Sequence, residues 1–311
     1  MMKRRLDQRF PARSPSSLAR KLRCEPLEDR RMLSVLFVDD DAAAGGDGLA
    51  WNSAYGDLQD ALSQAAVLKA DADPGNDVDQ IWIAEGVYRP SAELEPGDPR
   101  SAAFSLVDGV TLYGGFGGTE TAVVERDVSE HVTTLSGDIG VAGDASDNVY
   151  TVVYCGEGVD GGVDGVGVTG GNANGERRSG HPERTGGGGF YNLGTLTIVD
   201  GTIWGNMARG AGGGICNHEG SLMVAGSKLL DNATDRYGSG GGISNYQGEL
   251  TVANTTISGN SAEDGGGVCN SYGTLTITGS TFSDNEANGR YGEGGGICVA
   301  ESSVTVANST F

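Results

Sequence analysis

Of the eleven Lys or Arg residues after position 34, six fall in short segments that run into a glycine triplet: Arg177, Arg178, Arg184, Arg209, Arg236 and Arg290. Two of these segments repeat Arg-Tyr-Gly, as Arg236-Tyr237-Gly238 and Arg290-Tyr291-Gly292. A guanidinium grips carboxylate or sulfate through two parallel hydrogen bonds, and a tyrosine ring stacks on the apolar face of a sugar. Arg209, Arg236, Tyr237, Arg290 and Tyr291 are therefore the candidate residues for holding an acidic glycan. The plainer reading is local ion pairing with Asp235, Glu263, Asp264, Glu286 and Glu293, which serves solubility.

Three cysteines, Cys216, Cys269 and Cys298, share one position of a sequence repeat, with Tyr191 and Ser244 in the other copies. Their neighbours Ile215, Val268 and Ile297 are expected to point inward, so the thiols should face outward or lie near an edge. Cys269 and Cys298 belong to successive copies, about 4.8 Å apart if the copies stack. In-register parallel side chains point the same way, which is poor disulfide geometry, so free thiols in a ladder are expected. Cys155 and Cys24 have no evident partner. Only His218 lies near Cys216, and zinc wants closer-set Cys or His pairs; no zinc site is expected.

Asp71-Ala72-Asp73-Pro74-Gly75-Asn76-Asp77-Val78-Asp79 offers oxygens at alternate positions, and Asp71, Asp73, Asp77 and Asp79 are the candidate ligands for calcium, the one cofactor considered. The stretch lacks the mid-loop glycine and closing Glu of an EF-hand, and reads first as a solvated acidic turn. No catalytic residue is assigned: a β-helix lyase or glycosidase needs paired carboxylates, or Asp with a basic residue. The three His show no spacing suited to a Ser-His-Asp or Cys-His arrangement.

The elements that must position these groups are written five times between Gly187 and Phe311. Each copy opens on three glycines and an apolar residue: Gly187-Gly188-Gly189-Phe190, Gly212-Gly213-Gly214-Ile215, Gly240-Gly241-Gly242-Ile243, Gly265-Gly266-Gly267-Val268 and Gly294-Gly295-Gly296-Ile297. An Asn follows in four copies (Asn192, Asn217, Asn245, Asn270), where the fifth has Val299. An alternating run comes next, such as Thr195-Leu196-Thr197-Ile198 or Thr274-Leu275-Thr276-Ile277, and a second Asn closes each complete copy (Asn206, Asn232, Asn260, Asn285). Alternation with period two is a strand signal, and a repeat of 25 to 29 residues means stacked units. One unit cannot bury its apolar face alone, whereas a stack buries a continuous core. The predicted fold is all-β, a right-handed single-stranded parallel β-helix with one coil per repeat. Asn at the corners suits left-handed turns and bonds to its equivalent in the next coil. Glycine triplets fit an edge where a Cβ would clash. A leucine-rich repeat would need a helical segment in each unit, and a calcium-binding nonapeptide roll would need Gly-Gly-x-Gly-x-Asp; neither is present.

The period changes in Asp57–Lys69, where Leu58, Ala61, Leu62, Ala65 and Leu68 fall on one helical face. An N-terminal capping helix over the open end of the solenoid core is the expectation. Residues 35–100 are read as this cap and a first coil, 101–186 as irregular coils with a polar insert from Ala173 to Thr185 that loops out, and 187–311 as the regular array. The array stops inside its fifth copy and reads as truncated. Its outward strand positions are mostly Thr and Ser, with Glu249 the one ionisable group, which makes that face structural.

Charge is divided. Residues 1–34 carry ten Lys/Arg against four Asp/Glu, a balance of +6, and the remainder carries −27, which together make −21. An acidic body argues against nucleic acid as a partner. The basic segment has no apolar run of secretory-signal length, and no stretch of the chain is apolar enough to span a membrane. Residues 1–34 are taken as a basic, disordered sorting-type segment. Its end, Cys24-Glu25-Pro26-Leu27-Glu28-Asp29-Arg30-Arg31-Met32-Leu33-Ser34, resembles the LEPR-XLL motif of large secreted or surface bacterial proteins, with Cys24 where Leu is usual.

Further along, Phe37-Val38-Asp39-Asp40-Asp41, Trp51-Asn52-Ser53-Ala54-Tyr55, Leu58-Gln59-Asp60-Ala61-Leu62, Ile81-Trp82-Ile83-Ala84-Glu85-Gly86-Val87-Tyr88-Arg89-Pro90 and Val110-Thr111-Leu112-Tyr113-Gly114-Gly115-Phe116 resemble the choice-of-anchor Q proteins, a group of bacterial surface β-helix proteins. The glycine-triplet repeats resemble those of polymorphic outer-membrane proteins. Both resemblances imply a pectate-lyase-like β-helix displayed outside the cell, at the surface or secreted, and neither carries a catalytic residue across. The expected function is a structural, adhesive or glycan-binding module whose partner is an extracellular or cell-wall polysaccharide. The alternative is a polysaccharide lyase or glycoside hydrolase with its site in coils 101–171 or beyond Phe311.

Overall fold

The computed structural model describes residues 34–70, 77–235, 237–290 and 292–311. The sorting-type segment and its LEPR-XLL-like stretch lie outside them, apart from Ser34.

Each of the first four repeats makes one coil of four short strands, and the fifth contributes two. In the second repeat these are Ile215–His218, Ser221–Ala225, Lys228–Leu230 and Ala233–Thr234. Equivalent strands of successive coils pair in parallel, building sheets of nine, seven, seven and five strands. Every return to the same sheet is a parallel crossover, the connection that winds to the right in proteins of L-residues. The protein is an all-β parallel β-helix.

Register follows the sequence repeat. Leu196, Leu222, Leu250 and Leu275 are direct partners along the nine-strand sheet, and each is 1% exposed. Ile198, Val224, Val252 and Ile277 form a second buried column, and Phe190, Ile215, Ile243 and Val268 a third on a seven-strand sheet. Burying one such aliphatic side chain is worth about 1.5–3 kcal/mol. The intervening Thr197, Thr251 and Thr276 are partly exposed on the outer wall.

The helix Leu58–Ala70 buries Leu58, Ala61, Leu62 and Ala65, with Leu68 packed partly against the core. It lies against the strands Ser34–Val38, Val78–Ala84 and Phe104–Ser105, which open the nine-strand and one seven-strand sheet. That is the expected capping position. Its start is held by Asp57, whose carboxylate accepts from the Gln59 N–H at 2.9 Å. Outside the same coils, Phe37, Trp51, Trp82 and Phe116 pack ring to ring at 4.8–5.5 Å and pin the loop carrying Trp51.

One expectation needs correction. The recurring Asn residues do not themselves take the left-handed conformation. At their corners it falls on neighbours: Glu219, Gln247 and Tyr272, two residues after Asn217, Asn245 and Asn270, and Gly205, Asp231, Gly259 and Asp284, directly before Asn206, Asn232, Asn260 and Asn285. The Asn side chains point inside the wall and bond to their equivalents in the next coil, as expected. Asn192, Asn217, Asn245 and Asn270 bond amide to carbonyl at 2.6, 2.6 and 2.5 Å, and Asn206, Asn232, Asn260 and Asn285 at 3.0 Å each. The polar segment that follows Ala173 is exposed over residues 176–180 and closes on itself through a bridge between Arg178 and His181. Asn172–Ala173 opens the five-strand sheet. Arg184 then ties the segment back to the body: its Nη1 donates to Glu95 at 3.0 Å and to Asp98 at 2.5 Å, and its Nη2 to the Tyr150 hydroxyl at 3.0 Å.

Candidate functional site

The site grows from one outward column of a seven-strand sheet. Tyr154, Tyr191, Cys216, Ser244, Cys269 and Cys298 are successive register partners. Each follows an inward residue, so its side chain leaves the core. The cysteines do face outward, as expected, yet Cys216 and Cys269 are only 5% exposed. The segments feeding the glycine triplets cover them. Those segments stack as a ladder of their own through parallel bridges from Gly186 to Ala211, Ser239 and Asp264. The triplets permit this cover: Gly187 takes a positive φ of 68°, and a Cβ on Gly188 would meet the Met207 carbonyl oxygen at 2.4 Å.

Where the first three segments meet, the cover opens into a cleft of about 660 Å³. Tyr191 and Cys216, both buried, lie at its floor, and Glu176, Arg177, Pro182, Arg209, Asp235, Tyr237 and His218 line the rest. This size suits a small organic ligand or a few sugar units. Tyr237 is 78% exposed at the rim. From His218 a line of rings leads away along the coils: His218 stacks on Tyr246 at 5.3 Å, and Tyr246 meets the edge of Tyr272 at 5.9 Å. Tyr246 and Tyr272 are both exposed.

Burial drives the Tyr191 hydroxyl well above its ordinary range, helped by the Cys216 thiol and the Glu183 carboxylate nearby. Burial alone pushes the Cys216 thiol up to about 12. Cys216 is therefore a neutral thiol at physiological pH, and the floor offers no nucleophile. What the cleft presents is two guanidinium groups, two solvated carboxylates and aromatic faces, an arrangement for holding polar ligands by hydrogen bonds and ring stacking.

The sequence-derived candidates divide. Arg209 and Tyr237 line the cleft. Arg236 and Tyr291 lie outside the described residues. Arg290 is exposed two coils beyond the cleft wall. Among the other loop arginines, Arg177 joins the cleft, whereas Arg184 and Arg178 are engaged by Glu95. The ion-pair reading thus holds for Arg178 and Arg184, through Glu95 and Asp98, residues the sequence did not single out. Glu176, Asp235 and the ring line His218, Tyr246 and Tyr272 were missed as site residues. A signal for the rings exists: they sit one or two places after a ladder Asn, in Asn217-His218, Asn245-Tyr246 and Asn270-Ser271-Tyr272.

Of the calcium candidates, Asp71 and Asp73 lie outside the described residues, and Asp77 faces Lys69 at 3.9 Å. Among the described residues no group of three His, Cys, Asp or Glu is close enough to hold a metal, and no helix is long and apolar enough to cross a membrane. In the irregular coils, Asp164 is held by Arg126 at 2.5 Å, and the Arg126 guanidinium lies 5.3 Å over the centre of the Tyr113 ring. Cys155 is the register partner of Asn192 and heads the inner Asn ladder, with its thiol directed at the carbonyls of Val159 and Thr195 at 3.8 and 3.7 Å.

No family model, no curated protein and no solved structure matches this chain.

Proposed function

We propose that this chain is the β-helix module of an exported or cell-surface protein, and that the cleft between its glycine-triplet loops binds a glycan without cleaving it. The observation that carries the reading is the placing of exposed Tyr237 with Arg177 and Arg209 at one opening, continuous with the His218, Tyr246 and Tyr272 rings. Sugars are recognised by this pairing of aromatic faces with charged hydrogen-bonding groups. The export part rests on the resemblance to choice-of-anchor Q proteins, polymorphic outer-membrane-protein repeats and the LEPR-XLL motif. Arg177 and Arg209 favour an acidic polysaccharide, while Glu176 and Asp235 set a limit on how much negative charge the opening takes.

A glycan array of charged and neutral polysaccharides tests this with the intact chain and a Tyr237→Ala/Arg209→Ala variant. The expected result is binding to a subset of glycans that falls at least tenfold in the variant. Absence of binding by the intact chain, or equal binding by the variant, removes the proposal.

A second reading is favoured by Glu176 and Asp235 lining one cleft, since paired carboxylates are what a glycosidase requires. Both are exposed, whereas a general acid acting near neutral pH is usually sheltered enough to keep its proton. Release of reducing ends from a bound glycan, abolished by Glu176→Gln or Asp235→Asn, would put the enzyme ahead of the binding module.

A further inference from the structure

Four charged side chains line the cleft between the glycine-triplet loops: Glu176, Arg177, Arg209 and Asp235. All four are exposed. Among the described residues none of them is in an ion pair, although other charged groups of the same segment are. Arg178 and Arg184 are taken by Glu95 and Asp98, and Glu183 by His181.

The register makes this lack of pairing notable. Ala208 and Thr234 are partners on successive coils, so Arg209 and Asp235, each one residue further on, stand side by side along the solenoid with backbones about 4.8 Å apart. The Asp235 N–H donates to the Ala208 carbonyl at 3.0 Å. An arginine and an aspartate in that relation are natural partners. The Asp235 carboxylate instead accepts from the Tyr237 N–H at 3.2 Å, which holds it within its own turn. The opening therefore carries both kinds of recognition group: Arg177 and Arg209 for an anion, and Asp235 with the exposed Tyr237 ring for a cation. A guanidinium takes a carboxylate through parallel hydrogen bonds, and an ammonium is held by a carboxylate and by the face of an aromatic ring.

Two features count against a purely anionic ligand. It would cover Asp235 and Glu176 with no countercharge, and a charge taken out of water without a partner is costly. The chain after residue 34 also carries a net −27, which repels a polyanion before contact. A purely cationic ligand would leave the two guanidinium groups covered and unpaired in the same way. A ligand carrying both signs answers all four groups.

We propose that the cleft selects a zwitterionic glycan, one whose repeating unit carries a free amine as well as a carboxylate. The inference rests on the glycan-binding reading above and narrows it: the carboxylate goes to Arg177 and Arg209, and the ammonium to Asp235, Glu176 and the Tyr237 ring.

The test uses the intact chain on a panel of amine-bearing acidic polysaccharides, each presented unmodified, N-acetylated, and with its carboxylates converted to amides. Acetylation removes only the cation and amidation only the anion, so the sugar backbone stays constant. The unmodified form is expected to bind at least tenfold more tightly than either derivative. Glu176→Gln with Asp235→Asn should abolish the loss caused by acetylation and keep the loss caused by amidation, and Arg177→Gln with Arg209→Gln should do the reverse. All four side chains are exposed, so these exchanges leave the fold intact, which an unchanged Tm verifies. If either derivative binds as tightly as the unmodified form, or if both variant pairs alter the two losses alike, the zwitterion assignment falls while the glycan-binding reading stands. If the intact chain binds none of these polysaccharides and no other glycan of the array, both fall.

Discussion

Asn217 donates its side-chain amide to the Oδ1 of Asn245 at 2.6 Å, and neither residue is more than 1% exposed. Asn245 in turn donates to Asn270 at 2.5 Å and to the Gly248 carbonyl at 3.0 Å. A polar side chain so buried is tolerable only because each coil supplies the acceptor for the one before it. Removing a middle rung therefore strands groups on both sides. Asn245→Ala is expected to cost about 3 kcal/mol, since each buried group left unpaired costs about 1–3 kcal/mol. Asn285, at the half-buried end of the other ladder, can turn to water instead, and Asn285→Ala should cost about 1 kcal/mol. Denaturant unfolding of the two variants checks the order; equal losses would show that the ladder adds nothing beyond its single bonds.

The repeat made the architecture legible because its two periods answer different questions. Alternation of Leu196 with Thr195 and Thr197 says strand, and recurrence of the pattern at Leu222, Leu250 and Leu275 says which strands are neighbours. The capping helix was legible for the same reason, as a change of period around Leu58. Two things were not. Whether Asn232 or its neighbour Asp231 takes the left-handed corner depends on a shift of one residue in the turn, and both types suit it. The cleft was hidden because it is made by loops. Nothing in the spacing of Arg184 reveals that it meets Asp98, 86 residues earlier, while Arg177 stays in the opening.

Glycines of similar appearance should respond very differently to one added methyl group. A Cβ on Gly213 would lie 2.3 Å from the Ala233 carbonyl oxygen, with that residue's carbon and nitrogen at 2.6 and 2.7 Å. Ala233 belongs to the paired strand Ala233–Thr234 and cannot move away without opening its sheet. Gly213→Ala is expected to lose more than about 4 kcal/mol, enough to prevent recovery of folded protein. Gly143 has a φ of 81° but nothing within 4 Å, so Gly143→Ala meets only the left-handed penalty of about 1–2 kcal/mol. Thermal unfolding of the pair decides; a mild Gly213→Ala would mean the coils have slack.

Arg184 should control the cleft from outside it. Its guanidinium lies 4.5 Å over the Tyr150 ring centre while bonding Glu95 and Asp98, and its side chain is 12% exposed. Those contacts hold the segment that presents Glu176 and Arg177. Arg184→Ala is expected to raise proteolytic cutting between residues 174 and 185 at least tenfold and to weaken glycan binding, with little change in the coils themselves. Arg184→Lys should rescue little, because an ammonium cannot serve the carboxylates and stack on the ring together. Limited proteolysis followed by mass spectrometry reads the first effect; unchanged cutting would show that the segment is held elsewhere.

The buried thiol of Cys216 makes the fold sensitive to alkali. Its ordinary value is 9.0, and burial beneath Gly186 and the loops raises it to about 12 in the folded state. Below pH 9 the thiol is protonated whether folded or unfolded, and its full contribution to stability is present. Above pH 9 the unfolded chain releases this proton and the folded one keeps it, so stability falls as pH rises towards 12, by about 1.4 kcal/mol per pH unit for one such group. Lysines and tyrosines titrate in the same range, so the comparison must be with a chain differing at this site alone. Cys216→Ser is that chain, since Ser244 fills the same position one coil on with the same 5% exposure. Denaturant unfolding from pH 8 to pH 10.5 is expected to give curves that run together at the low end and diverge above pH 9, the serine variant losing less. Curves that stay parallel would mean that the loops over Cys216 open readily enough for its proton to leave without unfolding, and the cleft floor would then be accessible to solvent rather than sealed.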